Sequence, residues 1–316
     1  MEKRKLGNSH LQVAPLAFGG NVFGWTADEA TSFKLLDAFI SEGFNLIDTA
    51  DSYSRWVPGH KGGESEAIIG NWIHSRRNRE QVIIATKVGS DMGQGKKDLS
   101  KRWVLEEAEE SLRRLRTDYI DLYQSHWDDV ATPVEETLEA YAQLVQQGKV
   151  RVIGASNLSA ERLSESLKVS KQKGFSRYES LQPNYNLYDR AEFEKNLEPI
   201  CVTGNLGVIP YFSLASGFLT GKYRSEADLA NRARGAFVKK YLDERGMRIL
   251  KALDDVSAAH HVKPAQVAIA WLIARPSITA PIASATSIDQ LKELIEATRL
   301  RLSKEDIEKL NQSSAY

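Results

Sequence analysis

The chain is 316 residues long, 42% hydrophobic and 27% charged, enough apolar content to bury a large core and too much for a disordered tail. Its 42 Lys plus Arg balance 42 Asp plus Glu, which excludes a global electrostatic grip on nucleic acid or on an acidic membrane. A single cysteine, Cys201, excludes an intramolecular disulfide and a cysteine-built zinc site.

The first segment, residues 3–14, reads as a small hairpin. A strand follows at 16–20, then a helix that carries Phe33, Leu36 and Ile40 on one face. The next strand, 45–50, leads into an irregular stretch at 51–63 with Trp56, Pro58, Gly59 and Gly62. Strands at 82–87 and 119–126 bracket a helix whose Val104, Ala108, Leu112 and Leu115 share a face. Thr132-Pro133-Val134-Glu135 reads as a capping box with proline in the first helical position, opening a helix faced by Leu138, Tyr141 and Val145. Strands at 151–157, 180–185 and 208–213 come next, and a second irregular stretch runs from 215 to 237. The longest apolar run, 267–274, has eight residues and cannot span a bilayer. A last strand at 279–284 precedes capping boxes at Ser287-Ile288-Asp289-Gln290 and, in weaker form, Ser303-Lys304-Glu305-Asp306.

Eight strands, several of them nearly all apolar, alternating with helices predict an α/β fold, a parallel (β/α)8 TIM barrel whose strands are buried on both faces. A doubly wound sheet holding a dinucleotide would carry a G-x-G-x-x-G turn after an early strand, but Gly19-Gly20 is followed by Asn21-Val22-Phe23-Gly24. The 3–14 hairpin is placed to plug the barrel floor. Both irregular stretches leave the C-terminal strand ends, where barrel enzymes keep their chemistry. No Pro- or Ser-rich linker divides the chain, so one domain is expected over residues 1–316. The N-terminal residues lack the apolar segment of a secretory signal, and a cytoplasmic protein without nucleic-acid or membrane partners is expected.

Polar residues that end different barrel strands converge in space. Asp48 lies near the end of the second strand, Lys87 ends the third 39 residues later, and His126 ends the fourth another 39 residues on. Asn157, Gln182, Tyr211 and Ser284 fall in or at the end of the following strands, and Tyr53 lies in the loop after Asp48. Singly, each has an ordinary structural reading: a buried Asp–Lys pair, a hydrogen-bonded scaffold histidine, a loop aromatic. Together they make a proton donor. A free tyrosine, with a pKa of about 10, is a poor acid near neutrality. A lysine ammonium beside it is expected to lower that value, an aspartate to hold the lysine charged, and a histidine to align a carbonyl oxygen. The hydride that carbonyl reduction also needs must come from a cofactor.

These residues sit in motifs that resemble the aldo-keto reductase superfamily. Asp48-Thr49-Ala50-Asp51-Ser52-Tyr53 is similar to its D-T-A-x-x-Y signature, and Gly63-Glu64-Ser65-Glu66 to its G-x-S-E helix start. Thr86-Lys87, the stretch 118–126, Gly154-Ala155-Ser156-Asn157, Gln182-Pro183-Asn184-Tyr185-Asn186 and the stretch 210–223 follow in the family's order. The resemblance implies a (β/α)8 barrel that binds NADPH, less often NADH, without a Rossmann turn. It implies catalysis by Tyr53, supported by Asp48, Lys87 and His126, on a small-molecule carbonyl or alcohol. It implies cofactor contacts from Gly20, Asn21, Val22 and Asp48; from Ser156, Asn157 and Gln182 at the carboxamide; and from Tyr211 stacked on the nicotinamide ring. Ser213, Leu214, Ala215, Ser216, Gly217 and Lys222 match the loop over the pyrophosphate, joined by Arg232 from the basic set Lys222, Arg224, Arg232 and Arg234. Ser284, Thr286, Gln290 and Glu293 match the adenosine end.

The chain departs from the pattern in three places. Tyr211-Phe212-Ser213-Leu214 replaces Tyr-Ser-Pro-Leu. Ser284-Ala285-Thr286 stands where many members have Gly-Ala-Arg, which removes a guanidinium suited to a 2′-phosphate. Leu294 replaces an adenine-contacting asparagine. Trp25, Trp56 and Trp127 follow strands on the site face and predict an aromatic-walled substrate pocket. Two other functions compete with an NAD(P)H-dependent carbonyl reductase. A cofactor-binding sensor or channel-type accessory subunit would bind without rapid turnover. A barrel hydrolase would need paired carboxylates or clustered metal ligands, yet Asp48 is the one clear strand-end carboxylate and the six histidines show no ligand spacing, so no metal is expected.

Overall fold

The computed structural model describes residues 2–230 and 235–316. The chain opens on an antiparallel hairpin, β1 (Arg4–Lys5) and β2 (Gln12–Val13), then alternates strand and helix. The order is β3 (Ala17–Gly19), α1 (Glu29–Ser41), β4 (Leu46–Asp48), α2 (Glu64–Arg76), β5 (Ile83–Val88), α3 (Lys101–Leu115), β6 (Ile120–Ser125), α4 (Val134–Gln146), β7 (Val150–Ser156), α5 (Ala160–Lys173), β8 (Tyr178–Gln182), α6 (Glu198–Gly204) and β9 (Gly207–Val208). After a long segment carrying the short α7 (Gly235–Val238) come α8 (Glu244–His260), α9 (Pro264–Ala274), β10 (Ile282–Ala283), α10 (Ile288–Ala297) and α11 (Lys304–Ser313).

Strands β3 to β10 form one parallel sheet in the order β10-β3-β4-β5-β6-β7-β8-β9. Its two edges meet. The amides of Thr279 and Ile282 donate to the carbonyls of Val208 and Pro210 at 2.8 and 2.9 Å, and the Ala17 amide donates to Pro281 at 3.0 Å. The sheet therefore curls into the expected (β/α)8 barrel, with the helices around it. The seventh and eighth strands are shorter than their apolar runs, because pairing beyond Val208 passes through Pro210, which has no amide to donate.

Along a strand, alternate residues face the barrel axis. Ala17, Leu46, Ile83, Ala85, Leu122, Val152, Ile209, Ala280 and Ile282 face inward and pack with Leu6, Leu11 and Val13 of the hairpin, which closes the floor as expected. Each such buried aliphatic contributes roughly 1.5–3 kcal/mol. One pleat further along, the inward positions become polar: Asp48, Lys87, Gln124 and Gln182 follow Leu46, Ala85, Leu122 and Ser180. The apolar floor thus ends where the polar mouth begins. The apolar run of α9 is a core helix, buried from Ala265 to Ile273 and packed on α8 and α10. Among the described residues no helix is long and apolar enough to cross a membrane.

The helix starts follow the sequence with one correction. Ser303 and Asp306 form a full reciprocal box, and Ser287 caps α10 by accepting from the Gln290 amide. Thr132 does not cap α4. Its hydroxyl donates to Asp129 at 2.6 Å, and Pro133, with an extended backbone, is the cap residue itself. The Pro133 ψ of 139° is not helical, so the helix starts at Val134, one residue later than the motif implied.

Candidate active site

The four expected catalytic residues meet at the C-terminal mouth of the barrel. Lys87, on β5, is fully buried, and its Nζ lies 2.7 Å from Asp48 Oδ2, 2.8 Å from the Thr49 carbonyl and 2.8 Å from Tyr53 Oη. An ammonium has three protons to donate, and these three acceptors use them all. The phenol oxygen is therefore an acceptor toward Lys87 and keeps its own proton to give. Its other hydrogen bond among the described residues is a long one, 3.4 Å to Asp48 Oδ2. Asp48, on β4, is held from its other side by Gln182 Nε2 at 2.8 Å and Gln124 Nε2 at 3.4 Å.

The electrostatics correct one expectation. The Tyr53 phenol is not lowered by Lys87 in this arrangement; burial, then the Asp48 carboxylate, push it well above the usual tyrosine range. Burial pulls Lys87 below the usual lysine value against the opposing pull of Asp48. Tyr53 is thus a protonated phenol, with an ammonium positioned to stabilise the phenolate as a proton leaves. Burial and Lys87 together hold His126 well below the ordinary histidine range, so its imidazole is neutral at neutral pH. The His126 ring is stacked on Trp127, with centroids 5.7 Å apart, and lies 5.9 Å from the Tyr53 ring.

The G-x-S-E segment explains how this mouth is braced. Thr49 Oγ1 donates to Ser65 Oγ at 2.8 Å, and Ser65 donates to the Gly20 carbonyl at 2.8 Å, tying the first turn of α2 to the ends of β3 and β4. Glu66, fully buried, accepts from Thr86 and from Arg114, which also binds Glu107. Beside them Asp51 is completely buried, and neither of its carboxyl oxygens has a side-chain hydrogen-bond partner among the described residues. Burial, with Glu66 and Glu107 nearby, raises its pKa well above the carboxylate range.

The residues expected at a cofactor fall into three groups. Around the mouth, Ser156 Oγ donates to the Gln182 carbonyl at 2.8 Å, Asn157 Nδ2 donates to the His126 carbonyl at 2.9 Å, and Tyr211 Oη donates to Asn157 Oδ1 at 2.8 Å. This network fixes the Tyr211 ring against β7 and β8. Beyond Tyr211, Ala215, Ser216 and Gly217 have successive φ angles of 48°, 57° and 97°. Left-handed backbone costs on the order of 1 kcal/mol for each non-glycine residue, so the turn is maintained by its surroundings. Leu214 anchors it by accepting from the Gly217 and Leu219 amides, and Ser213 Oγ donates to the Ile282 carbonyl at 2.8 Å. Lys222 lies against Gly217 without a carboxylate partner among the described residues. A strained turn beside an unpaired cation suits an anionic group.

The third group is mixed. Ser284 Oγ donates to Asn21 Oδ1 at 2.6 Å, an approach that Gly19 permits, since a Cβ there would lie 2.5 Å from Ser284 Oγ. Gly20 and Val22 are buried, the latter among core side chains. Thr286 and Gln290 bond each other, and Glu293 is taken up by Lys263. Arg224 pairs with Asp254, while Arg232 and Arg234 lie outside the described residues. Trp25 and Trp56 meet edge to face at 5.6 Å, and Trp56 lies 6.1 Å from the Tyr53 ring. With Trp56 half exposed and Trp127 37% exposed, the mouth carries an aromatic rim.

The sequence reading missed Gln124, Ser52 and Ser90. Gln124 had a signal: a polar residue two before His126 in an apolar strand must share its inward face. Ser52 and Ser90 had none, since loop serines are ordinary. Ser90 Oγ lies 2.9 Å from His126 Nδ1 and 3.2 Å from Ser52 Oγ.

Residues 15–315 match the Aldo/keto reductase family. A Bacillus subtilis protein described as uncharacterized oxidoreductase YrpG is 35% identical over 98% of this chain and 95% of its own length. Protein tas of Escherichia coli is 31% identical over 100% of this chain and 99% of its own. Norsolorinic acid reductase of Aspergillus flavus is 30% identical over 97% of this chain and 79% of its own.

Proposed function

The chain belongs to the aldo/keto reductase family, and on that premise we propose that it reduces the carbonyl of a small aldehyde or ketone to the alcohol, reversibly, with NADPH or NADH as cofactor and Tyr53 as proton donor. One observation carries this reading: Lys87 spends its three N–H donors on Asp48, Thr49 and Tyr53, so the phenol is solvated by an ammonium yet retains a transferable proton. The residues fit a nicotinamide cofactor. Ser156, Asn157 and Gln182 would hold its carboxamide and Tyr211 its ring. The 214–217 turn with Lys222 would hold its phosphates, and Asn21, Ser284, Thr286 and Gln290 its far end. When bound, that cofactor supplies the hydride.

The protein's part is positioning and proton transfer. His126, neutral and held against Trp127, aligns the carbonyl oxygen. Tyr53 gives that oxygen a proton as it gains charge. Lys87 stabilises the resulting phenolate, and Asp48, fixed by Gln182 and Gln124, keeps the ammonium charged. Trp25, Trp56 and Trp127 favour a bulky apolar or aromatic carbonyl over a small polar one. Asp48 is taken up by its ion pair with Lys87, which disfavours a glycosidase's pair of free carboxyl groups.

The test is a titration of the purified protein with NADPH and NADH, followed by tryptophan fluorescence, and then carbonyl-dependent oxidation of whichever binds. Low-micromolar binding with turnover of aromatic aldehydes or ketones is expected. Binding of neither cofactor would overturn the reading, and tight binding without turnover would favour a sensor.

A further inference from the structure

The proton on the His126 imidazole has two places to sit, and the structure contains a device that chooses between them. Burial beside Lys87 keeps the ring neutral, so it carries one N–H and one lone pair. Nδ1 lies 2.9 Å from Ser90 Oγ, while among the described residues no protein group bonds Nε2. We propose that Ser90 is a positioning residue that fixes the His126 tautomer: its hydroxyl donates to Nδ1 and thereby keeps the proton on Nε2, the nitrogen available to a substrate oxygen. The inference rests on the carbonyl-reductase reading of this site.

The direction of the bond follows from what lies behind Ser90. Ser52 Oγ, 3.2 Å away, is oriented to donate to Ser90 Oγ. Ser90 is buried, and among the described residues its hydroxyl has two partners, Ser52 and His126 Nδ1, so a Ser90 oxygen that accepts from Ser52 has Nδ1 as the acceptor for its own proton. The opposite tautomer would aim the Nε2 lone pair at the lone pairs of a carbonyl, where alignment needs a donor. The backbone keeps the ring in place, since the His126 amide donates to Val88 at 2.8 Å and its carbonyl accepts from Asn157 at 2.9 Å.

Ser90 is itself held. Gln94 Nε2 donates to its carbonyl at 3.1 Å while Gln94 Oε1 accepts from the Met92 amide at 2.7 Å. Asp91 Oδ1 accepts from the amides of Gly93 and Gly95, and the Asp91 carbonyl accepts from Arg55 at 2.5 Å. The loop after β5 is thereby clasped to the loop after β4, Arg55 and Ser52 coming from one side and Asp91 and Ser90 from the other. A serine that only stitched two loops would need no contact with the imidazole.

The test compares wild type, Ser90→Ala and Ser90→Thr. Nitrogen-15 NMR of labelled histidine reads the tautomer without substrate. Steady-state kinetics and fluorescence read kcat/KM for an aromatic aldehyde and the cofactor Kd. The expected wild-type spectrum has a pyridine-type Nδ1 and a pyrrole-type Nε2. Ser90→Ala should mix the tautomers and lower kcat/KM about tenfold, the scale of one lost hydrogen bond, at unchanged cofactor Kd. Ser90→Thr, which keeps the hydroxyl, should restore both. A wild-type Nδ1–H tautomer, or an unchanged tautomer and kcat/KM in Ser90→Ala, would overturn the proposal. Failure of the reductase reading would show separately, as wild-type protein that turns over no carbonyl, because the NMR comparison needs no turnover.

Discussion

The Nζ of Lys87 lies 2.8 Å from the Oη of Tyr53, and it donates to that oxygen while Asp48 and the Thr49 carbonyl take its other two protons. The lysine thus prepares the tyrosine to lose a proton without taking one from it. The benefit appears as charge develops in the transition state, which is where an interaction accelerates chemistry.

The pH profile follows from the directions of three shifts. Tyr53 stays protonated well above the usual tyrosine range, and His126 stays neutral well below the usual histidine range. Neither changes charge between roughly pH 6 and pH 9, where an unperturbed histidine would titrate. The kcat/KM for carbonyl reduction should therefore be flat across that window, with Lys87, pulled down by burial, limiting the alkaline side. An acid limb with an apparent pKa near 6.5 would show that His126 titrates as an ordinary imidazole.

Breaking the buried ion pair tests its structural part. Lys87→Met leaves Asp48 buried without its cation, which should cost about 3–5 kcal/mol of stability. Removing both charges, in Lys87→Met with Asp48→Leu, should recover part of that loss, since an apolar pair of similar size tolerates burial. Urea unfolding of the two variants measures this. A double variant less stable than the single would mean that Gln182 and Gln124, left without Asp48, dominate the site's cohesion.

Asp51 offers a stability prediction of known sign. Its folded pKa is raised, so the folded chain holds a proton that the unfolded chain releases above its ordinary value near 3.8. Its favourable contribution is complete below that value and is lost as pH rises toward the folded pKa. Asp51→Asn keeps the shape and removes the titration. The variant should match wild type near pH 4 and become the more stable of the two by pH 7. Urea melts at several pH values check it, and a variant destabilised at pH 7 would show that the carboxylate is ionised and paired.

The aromatic rim predicts selectivity by size. Trp25→Ala removes the edge-to-face partner of Trp56 and should raise KM for bulky aromatic carbonyls more than for small ones. A KM series from a small aliphatic aldehyde to a two-ring ketone checks this. Equal effects along the series would mean that Trp25 only packs the loop.

Much of this was legible from residues alone, for identifiable reasons. Parallel strands buried on both faces read as continuous apolar runs, so all eight were found even where, as at Gly207–Val208 and Ile282–Ala283, the regular pairing is brief. Asp48, Lys87 and His126 stood out because charge at the end of an apolar strand has few structural uses. Ser52 and Ser90 did not, because their meaning lies in a contact across two loops, which no local pattern encodes. The Tyr53 shift was misjudged for a related reason. Proximity to a cation was visible in the motif, but the extent of burial, which outweighs it, was not. Thr132 does not cap because Pro133 keeps an extended backbone and takes the cap position itself, which no local motif encodes.

The most direct measurement of the account is a comparison of Tyr53→Phe with wild type for carbonyl reduction and cofactor binding. Phenylalanine keeps the ring against Trp56 and His126 and removes the one proton that Lys87 prepares. Turnover should fall by about 10²–10⁴, the range of a positioned general acid, while the cofactor Kd changes less than about threefold. A Tyr53→Phe protein that turned over at the wild-type rate would contradict the account, because the proton would then come from elsewhere.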